Sequence, residues 1–159
     1  MKSSTAHKTK RNKKVYFVCA VAGGRDHAFV YQDIVDIIKA QGIEVLGEAL
    51  ANPDLESESV LNPAYTPRYV WKRDTDWVRE INGLIAEVTQ PSLGVGYVIA
   101  LAESLNIPVL ALFYKRSDKR FSPMIKGNPN LQTVEYDNQA DLEKAINKFA
   151  SQLPQPNSA

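Results

Sequence analysis

Apolar and polar positions fall into two kinds of block that alternate along the chain. Val15-Tyr16-Phe17-Val18-Cys19-Ala20-Val21 is a continuous apolar run rich in β-branched and aromatic residues. It has the length and composition of a strand buried on both faces. Leu84 to Val88 and Val109 to Phe113 repeat the pattern, and Ile43 to Leu46 and Thr133 to Tyr136 are shorter versions of it. Between these runs the apolar period lengthens to that of a helix. Phe29, Val30, Ile34, Ile37 and Ile38 mark one face of a helix from Asp26 to about Gln41, and Val70, Trp77, Val78 and Ile81 mark another over Tyr69 to Asn82. Val98 to Leu105 and Leu142 to Leu153 complete the set. Gly23-Gly24 ends the first strand, Asp26 can cap the first helix, and Gly42 fits a left-handed helix terminus; Gly83 ends the second helix. Five strands alternating with helices predict an α/β protein with a three-layer, doubly wound, five-stranded parallel sheet.

The flanks differ from this block. Met1 to Lys14 is polar and basic, and reads as a disordered tail ahead of one domain over 15–153, with a short polar tail over 154–159. Gly47 to Arg68 has neither period and carries Asn-Pro, Ser/Glu and Thr-Pro clusters. A loop that long inside a domain implies a role, here a lid or a dimer contact beside the carboxyl end of the second strand.

Composition narrows the class. The chain has 159 residues, 44% of them hydrophobic, and a formal net charge of +1. That length suits one domain with a full core, and the charge selects neither nucleic acid nor a membrane surface. The single cysteine, Cys19, excludes an internal disulfide and a cysteine-built zinc cluster. No apolar run approaches the ~18 residues of a membrane span, and the N-terminus lacks the apolar core of a secretory signal, so a cytoplasmic protein is expected. His7 and His27 do not form a ligand set; no metal and no cofactor is expected.

The chemistry concentrates around Thr89-Gln-Pro-Ser-Leu-Gly-Val-Gly-Tyr97, where a strand feeds a Gly-containing turn and then a helix. Such a turn offers backbone N–H groups and the positive end of a helix dipole to an anion. These nine residues resemble the strand-to-helix loop of the 2′-deoxynucleoside 5′-phosphate N-hydrolases, relatives of the nucleoside 2-deoxyribosyltransferases. Tyr16 to Asp26 resembles the first strand and loop of that family, Arg73 to Trp77 its aspartate-bearing helix, and Phe121 to Gly127 a further loop. The resemblance covers about residues 15 to 149 and implies a Rossmann-like, flavodoxin-like sheet.

The resemblance also implies a site. Asp74 takes the place of the catalytic aspartate, with Tyr16 beside it. Ser92, Gly94, Gly96, Ala20, Val21 and Gly23 take phosphate- and substrate-binding places. Ser122 and Met124 take places that complete the neighbouring subunit's site in a homodimer. The ligand implied is a deoxynucleoside or ribonucleoside 5′-monophosphate, and the family reaction is hydrolysis of its N-glycosidic bond.

Three positions depart from the pattern. Ala20 and Ala22 stand where the family has a serine and an arginine, and methyl groups neither donate a hydrogen bond nor carry charge. Val98 stands where the family has its nucleophilic glutamate. Valine cannot attack an anomeric carbon or stabilise an oxocarbenium-like transition state. Glu103, five residues further along the helix, points ~140° away, and Glu87 is expected to be held structurally. Arg25 is either a substitute phosphate ligand or an exposed arginine, and Glu48 is expected to make structural hydrogen bonds. Two functions follow: a nucleotide-binding member with impaired hydrolysis, or a non-catalytic sensor or partner subunit completing an active relative's site.

Overall fold

A computed structural model describes residues 12–55 and 65–156. Most of the basic N-terminal segment, the middle of the long loop and the last three residues lie outside them. The elements run β1 (Lys14–Val18), α1 (Tyr31–Ala40), β2 (Glu44–Leu46), α2 (Pro67–Glu80), β3 (Gly83–Glu87), α3 (Leu93–Ser104), β4 (Val109–Tyr114), α4 (Pro123–Lys126), β5 (Gln132–Tyr136) and α5 (Gln139–Gln152). Single 3-10 turns at Ala28–Val30 and Glu48–Ala51 precede α1 and follow β2.

The five strands are all parallel, in the order β2-β1-β3-β4-β5. This is the doubly wound sheet expected from the sequence. The connections reverse direction between β1 and β3, which opens a crevice at the carboxyl ends of these two strands. Helices α1 and α5 pack together on one face, and α2 and α3 on the other. Alternation sorts the strand side chains between them. Phe17 meets Tyr31 of α1 at 5.9 Å between ring centroids, whereas Tyr16 meets Trp77 of α2 edge-on at 5.3 Å. β3 is buried at every residue, as its unbroken apolar run requires.

Several boundaries differ from the sequence reading, each for a physical reason. Lys14 belongs to β1 and not to a tail, because Glu44 N–H bonds to the Lys13 carbonyl and Lys13 Nζ to the Leu153 carbonyl. β1 ends at Val18, so Cys19 to Val21 form buried or half-buried loop. Asp26 does not cap α1; it pairs with Lys119 at 3.5 Å, and a 3-10 turn leads into the helix instead. Phe29 consequently faces outward instead of joining the buried stripe. Gly83 opens β3 instead of ending a helix: a Cβ there would stand 2.4 Å from Leu153 Cδ2. Gly42 does close α1 in the left-handed region, at φ 71°.

Among the described residues no helix is long and apolar enough to cross a membrane, and no group of three or more metal-ligating side chains is present.

Candidate functional site

The crevice between β1 and β3 opens into a cavity of about 560 Å³ on the α2/α3 face. Its floor comes from the end of β1 and the loop beyond: Tyr16, Val18, Cys19, Val21 and Ala22. One wall is α3, with Ser92, Gly94, Val95, Tyr97 and Val98; the other is α2 with the residues before it, including Tyr65, Trp71, Arg73 and Asp74.

α3 begins one residue after Ser92, whose Oγ accepts from Val95 N at 3.4 Å as an N-cap. Gly94 and Gly96 therefore lie in the first turns of the helix and not in a Gly-rich loop, correcting the sequence reading. The first-turn N–H groups of a helix lack intrahelical acceptors, so this end suits an anion. The β3–α3 loop is locked against the β1–α1 loop. Gln90 Nε2 donates to the Gly23 carbonyl, and a Cβ on Gly23 would approach the Pro91 carbonyl oxygen to 2.7 Å.

Asp74 is held by its neighbour. Arg73 Nε and Nη2 reach Asp74 Oδ1 at 2.8 and 2.7 Å, with both side chains mostly buried, at 12% and 20% exposure. The guanidinium also lies 4.6 Å from the Trp77 ring, 5.7 Å from Tyr65 and 6.0 Å from Tyr69. This caged ion pair was not legible as a site feature, since nothing in the spacing of Arg73 distinguishes it from a solvated helix arginine. At the rim, Trp71 Nε1 donates to Tyr97 Oη at 3.3 Å, bridging α2 and α3.

Of the site residues expected from sequence, the cavity brings together Tyr16, Val21, Asp74, Ser92, Gly94 and Val98. Ala20, Gly23 and Gly96 do not line it; Ala20 is fully buried. Ser122 and Met124 lie outside the cavity of their own chain, and Met124 is 81% exposed. Arg25 is neither a free surface arginine nor aimed into this cavity. Its Nη1 donates to the Ala20 carbonyl at 3.3 Å, and Nη2 to those of Leu50 and Asn52 at 2.9 and 2.6 Å. Glu48 takes no part; it pairs with Lys39 at 3.2 Å. The residues missed from sequence are chiefly aromatic: Tyr65, Trp71 and Tyr97. For Tyr65 and Trp71 the signal was the density of aromatic residues between Tyr65 and Trp77, and Tyr97 closes the Thr89–Tyr97 motif.

Glu87 occupies the opposite face of the sheet, fully buried. Its Oε1 accepts from Thr89 Oγ1 and, at 3.1 Å, from Tyr136 Oη; Oε2 accepts from Thr89 N at 3.3 Å. Burial pushes its carboxyl up to about 7, against the lowering effect of those donors. Burial, and next the nearby Glu87, push the hydroxyls of Tyr31 and Tyr136 above the usual phenol range. The glutamate is thus a structural acceptor beneath the β3–α3 loop.

With the geometry in place, comparison with known proteins defines the class. No protein-family model matches the chain. A Syntrophotalea carbinolica protein named as a 2′-deoxynucleoside 5′-phosphate N-hydrolase is 36% identical over 129 residues, spanning 81% of this chain and 88% of that one. The 5-hydroxymethyl-dUMP N-hydrolase of Mus musculus is 35% identical over 145 residues, 89% of this chain and 82% of the mouse protein. Among solved structures, a Clostridium botulinum CMP N-glycosidase superposes with a TM-score of 0.61 at 18% identity, covering 86% of this chain and 99% of that chain; it supports the fold. The chain belongs to the 2′-deoxynucleoside 5′-phosphate N-hydrolase family.

Proposed function

We propose that the cavity binds a (deoxy)nucleoside 5′-monophosphate and that N-glycosidic hydrolysis is impaired by Val98. The observation that carries this reading is the side chain at position 98. It lies on the wall of the same cavity as Asp74 and Ser92, is 5% exposed, and has no atom able to act as a nucleophile. With a carboxylate there, an oxygen would bond to C1′ as the C1′–N bond breaks. The bonding pair would leave with the base, which takes a proton, and water would then cleave the sugar ester. Losing such a nucleophile costs on the order of 10³ or more in rate. Asp74, tied to Arg73, does not replace it.

The ligand assignment rests on complementary ends of the cavity. Ser92 and the α3 N-terminus suit a phosphate, and Tyr65, Trp71 and Tyr97 present rings on which a base can stack. Ser122, outside the cavity of its own chain, is assigned in this reading to the site of a second copy in a homodimer. The same placement favours, as the second reading, a partner subunit that completes the site of an active relative.

The test is base release from a panel of deoxynucleoside and ribonucleoside monophosphates, followed by chromatography, for the native protein and Val98→Glu. Release by the variant alone is the expected outcome. Equal release by the native protein would overturn the role given to Val98. Failure of the native protein to bind any monophosphate at millimolar concentration in calorimetry would overturn the ligand assignment.

A further inference from the structure

A phosphate monoester carries about −1.5 to −2 charges at pH 7. The cations that face the cavity therefore decide how much a 5′-phosphate adds to binding. Arg73 is the one lysine or arginine among the described lining residues. It is already committed. Its Nε and Nη2 both reach Asp74 Oδ1, and its guanidinium lies against the rings of Tyr65, Tyr69 and Trp77. The pair has no net charge. Arg25, in the β1–α1 loop, donates through Nη1 and Nη2 to the carbonyls of Ala20, Leu50 and Asn52, and it does not line this cavity. Position 22 does line it and is exposed, yet alanine offers only a methyl group. Residues 56–64, outside the described residues, contain two glutamates and no lysine or arginine.

We infer that the unphosphorylated nucleoside is itself a ligand of this cavity, held about as well as its 5′-monophosphate. This rests on the nucleotide reading given above. The partners left for a phosphate are Ser92 and the first-turn N–H groups of α3. A helix N-terminus favours an anion by a factor of about two to five. Against that, Val18, Val21, Leu50, Val95 and Val98 make much of the lining apolar, and a doubly charged group loses water there without a countercharge. A neutral 5′-hydroxyl escapes this cost. It is both donor and acceptor, so Ser92 Oγ and the same N–H groups suit it equally. The base stacks on Tyr65, Trp71 and Tyr97 whether or not the sugar carries a phosphate.

Calorimetry with the full chain decides the matter, using the four common deoxynucleosides and their 5′-monophosphates with the native protein and with Ala22→Arg. In the native protein the monophosphate is expected to bind less than about fivefold tighter than its nucleoside. Ala22→Arg returns a cation to the lining. It should tighten monophosphate binding at least about tenfold, one charge-assisted hydrogen bond's worth, and leave nucleoside binding within about twofold. A native preference for the monophosphate of tenfold or more would overturn this inference and leave monophosphate binding intact, since a cation would then reach the phosphate from outside this lining. An unchanged ratio in Ala22→Arg would overturn the missing cation as its cause. Binding of the nucleoside alone would support the inference and overturn the monophosphate reading. Absence of binding by either ligand would overturn both.

Discussion

Two carboxylates flank the central strands of this protein, and the sheet keeps them apart. Asp74 projects from α2 into the cavity on one face, held by Arg73. Glu87 ends β3 and projects to the other face, where Thr89 and Tyr136 donate to it. Its carboxyl, moved well above the ordinary range by burial, resembles a tuned general acid if read alone. Its position says otherwise: its partners are loop and β5 groups, and it does not line the cavity that Asp74 lines. The contrast teaches that a shifted proton affinity locates desolvation, while function depends on which face of the sheet the group shares with a ligand-sized space.

The contrast can be broken most severely in the Val98→Glu background. Adding Asp74→Asn there is expected to lower base release by about 10²-fold or more, the range for loss of an acid–base group. Adding Glu87→Gln is expected to change it by less than about threefold. Comparable losses from both would remove the distinction between a working carboxylate and a structural one.

A second effect belongs to Glu87 and reads out in stability. Its folded-state proton affinity, at about 7, lies above the ordinary value of 4.5. Between these two values the folded chain holds a proton that the unfolded chain releases, so stability falls as pH rises through this window. The group's full contribution is present below pH 4.5, and about 3 kcal/mol is lost above pH 7. Urea unfolding across pH 4.5 to 8 should show this slope in the native protein and its absence in Glu87→Gln. Equal slopes would place the titration on another group.

A smaller change tests the network around the same carboxyl. Tyr136→Phe removes the Oη donor to Glu87 Oε1 while keeping the ring, which packs 5.4 Å from Tyr114. A loss of about 1 kcal/mol is expected from one hydrogen bond to a buried acceptor. A change below a few tenths would mean that Thr89 alone satisfies the oxygen.

The two faces also differ in how far the sequence disclosed them. Three of the five strands, β1, β3 and β4, were legible as unbroken apolar runs because they are buried on both sides. The α2 stripe was legible because Val78 and Ile81 repeat at helical spacing, and both are buried. Glu87 was expected to be structural, and its hydrogen bonds agree. The cavity wall was harder to read. Gly94 and Gly96 suggested a loop, yet they are helical; a Cβ at Gly96 would meet nothing within 4 Å, so no contact within the described residues requires glycine there. The part played by Arg73 depends on Tyr65, Tyr69 and Trp77 converging in space, which a one-dimensional pattern does not contain. Asp26 looked like a cap because residue type favours it, but Lys119, distant in sequence, draws it away.

The smallest effect concerns Ser92, where the fold and the site share one hydroxyl. Its Oγ caps α3 through Val95 N. Ser92→Ala removes both the cap and any contact with a phosphate, whereas Ser92→Gly removes the hydroxyl at an N-cap position that tolerates glycine. Alanine should therefore cost about 1 kcal/mol of stability and glycine a few tenths. Stability and binding should then separate. If the hydroxyl grips the phosphate, both variants weaken monophosphate binding by the same factor despite their unequal stabilities. If binding instead tracks stability, with glycine close to the native protein, Ser92 serves the ligand only by setting the start of α3, and the backbone N–H groups of that first turn hold the phosphate.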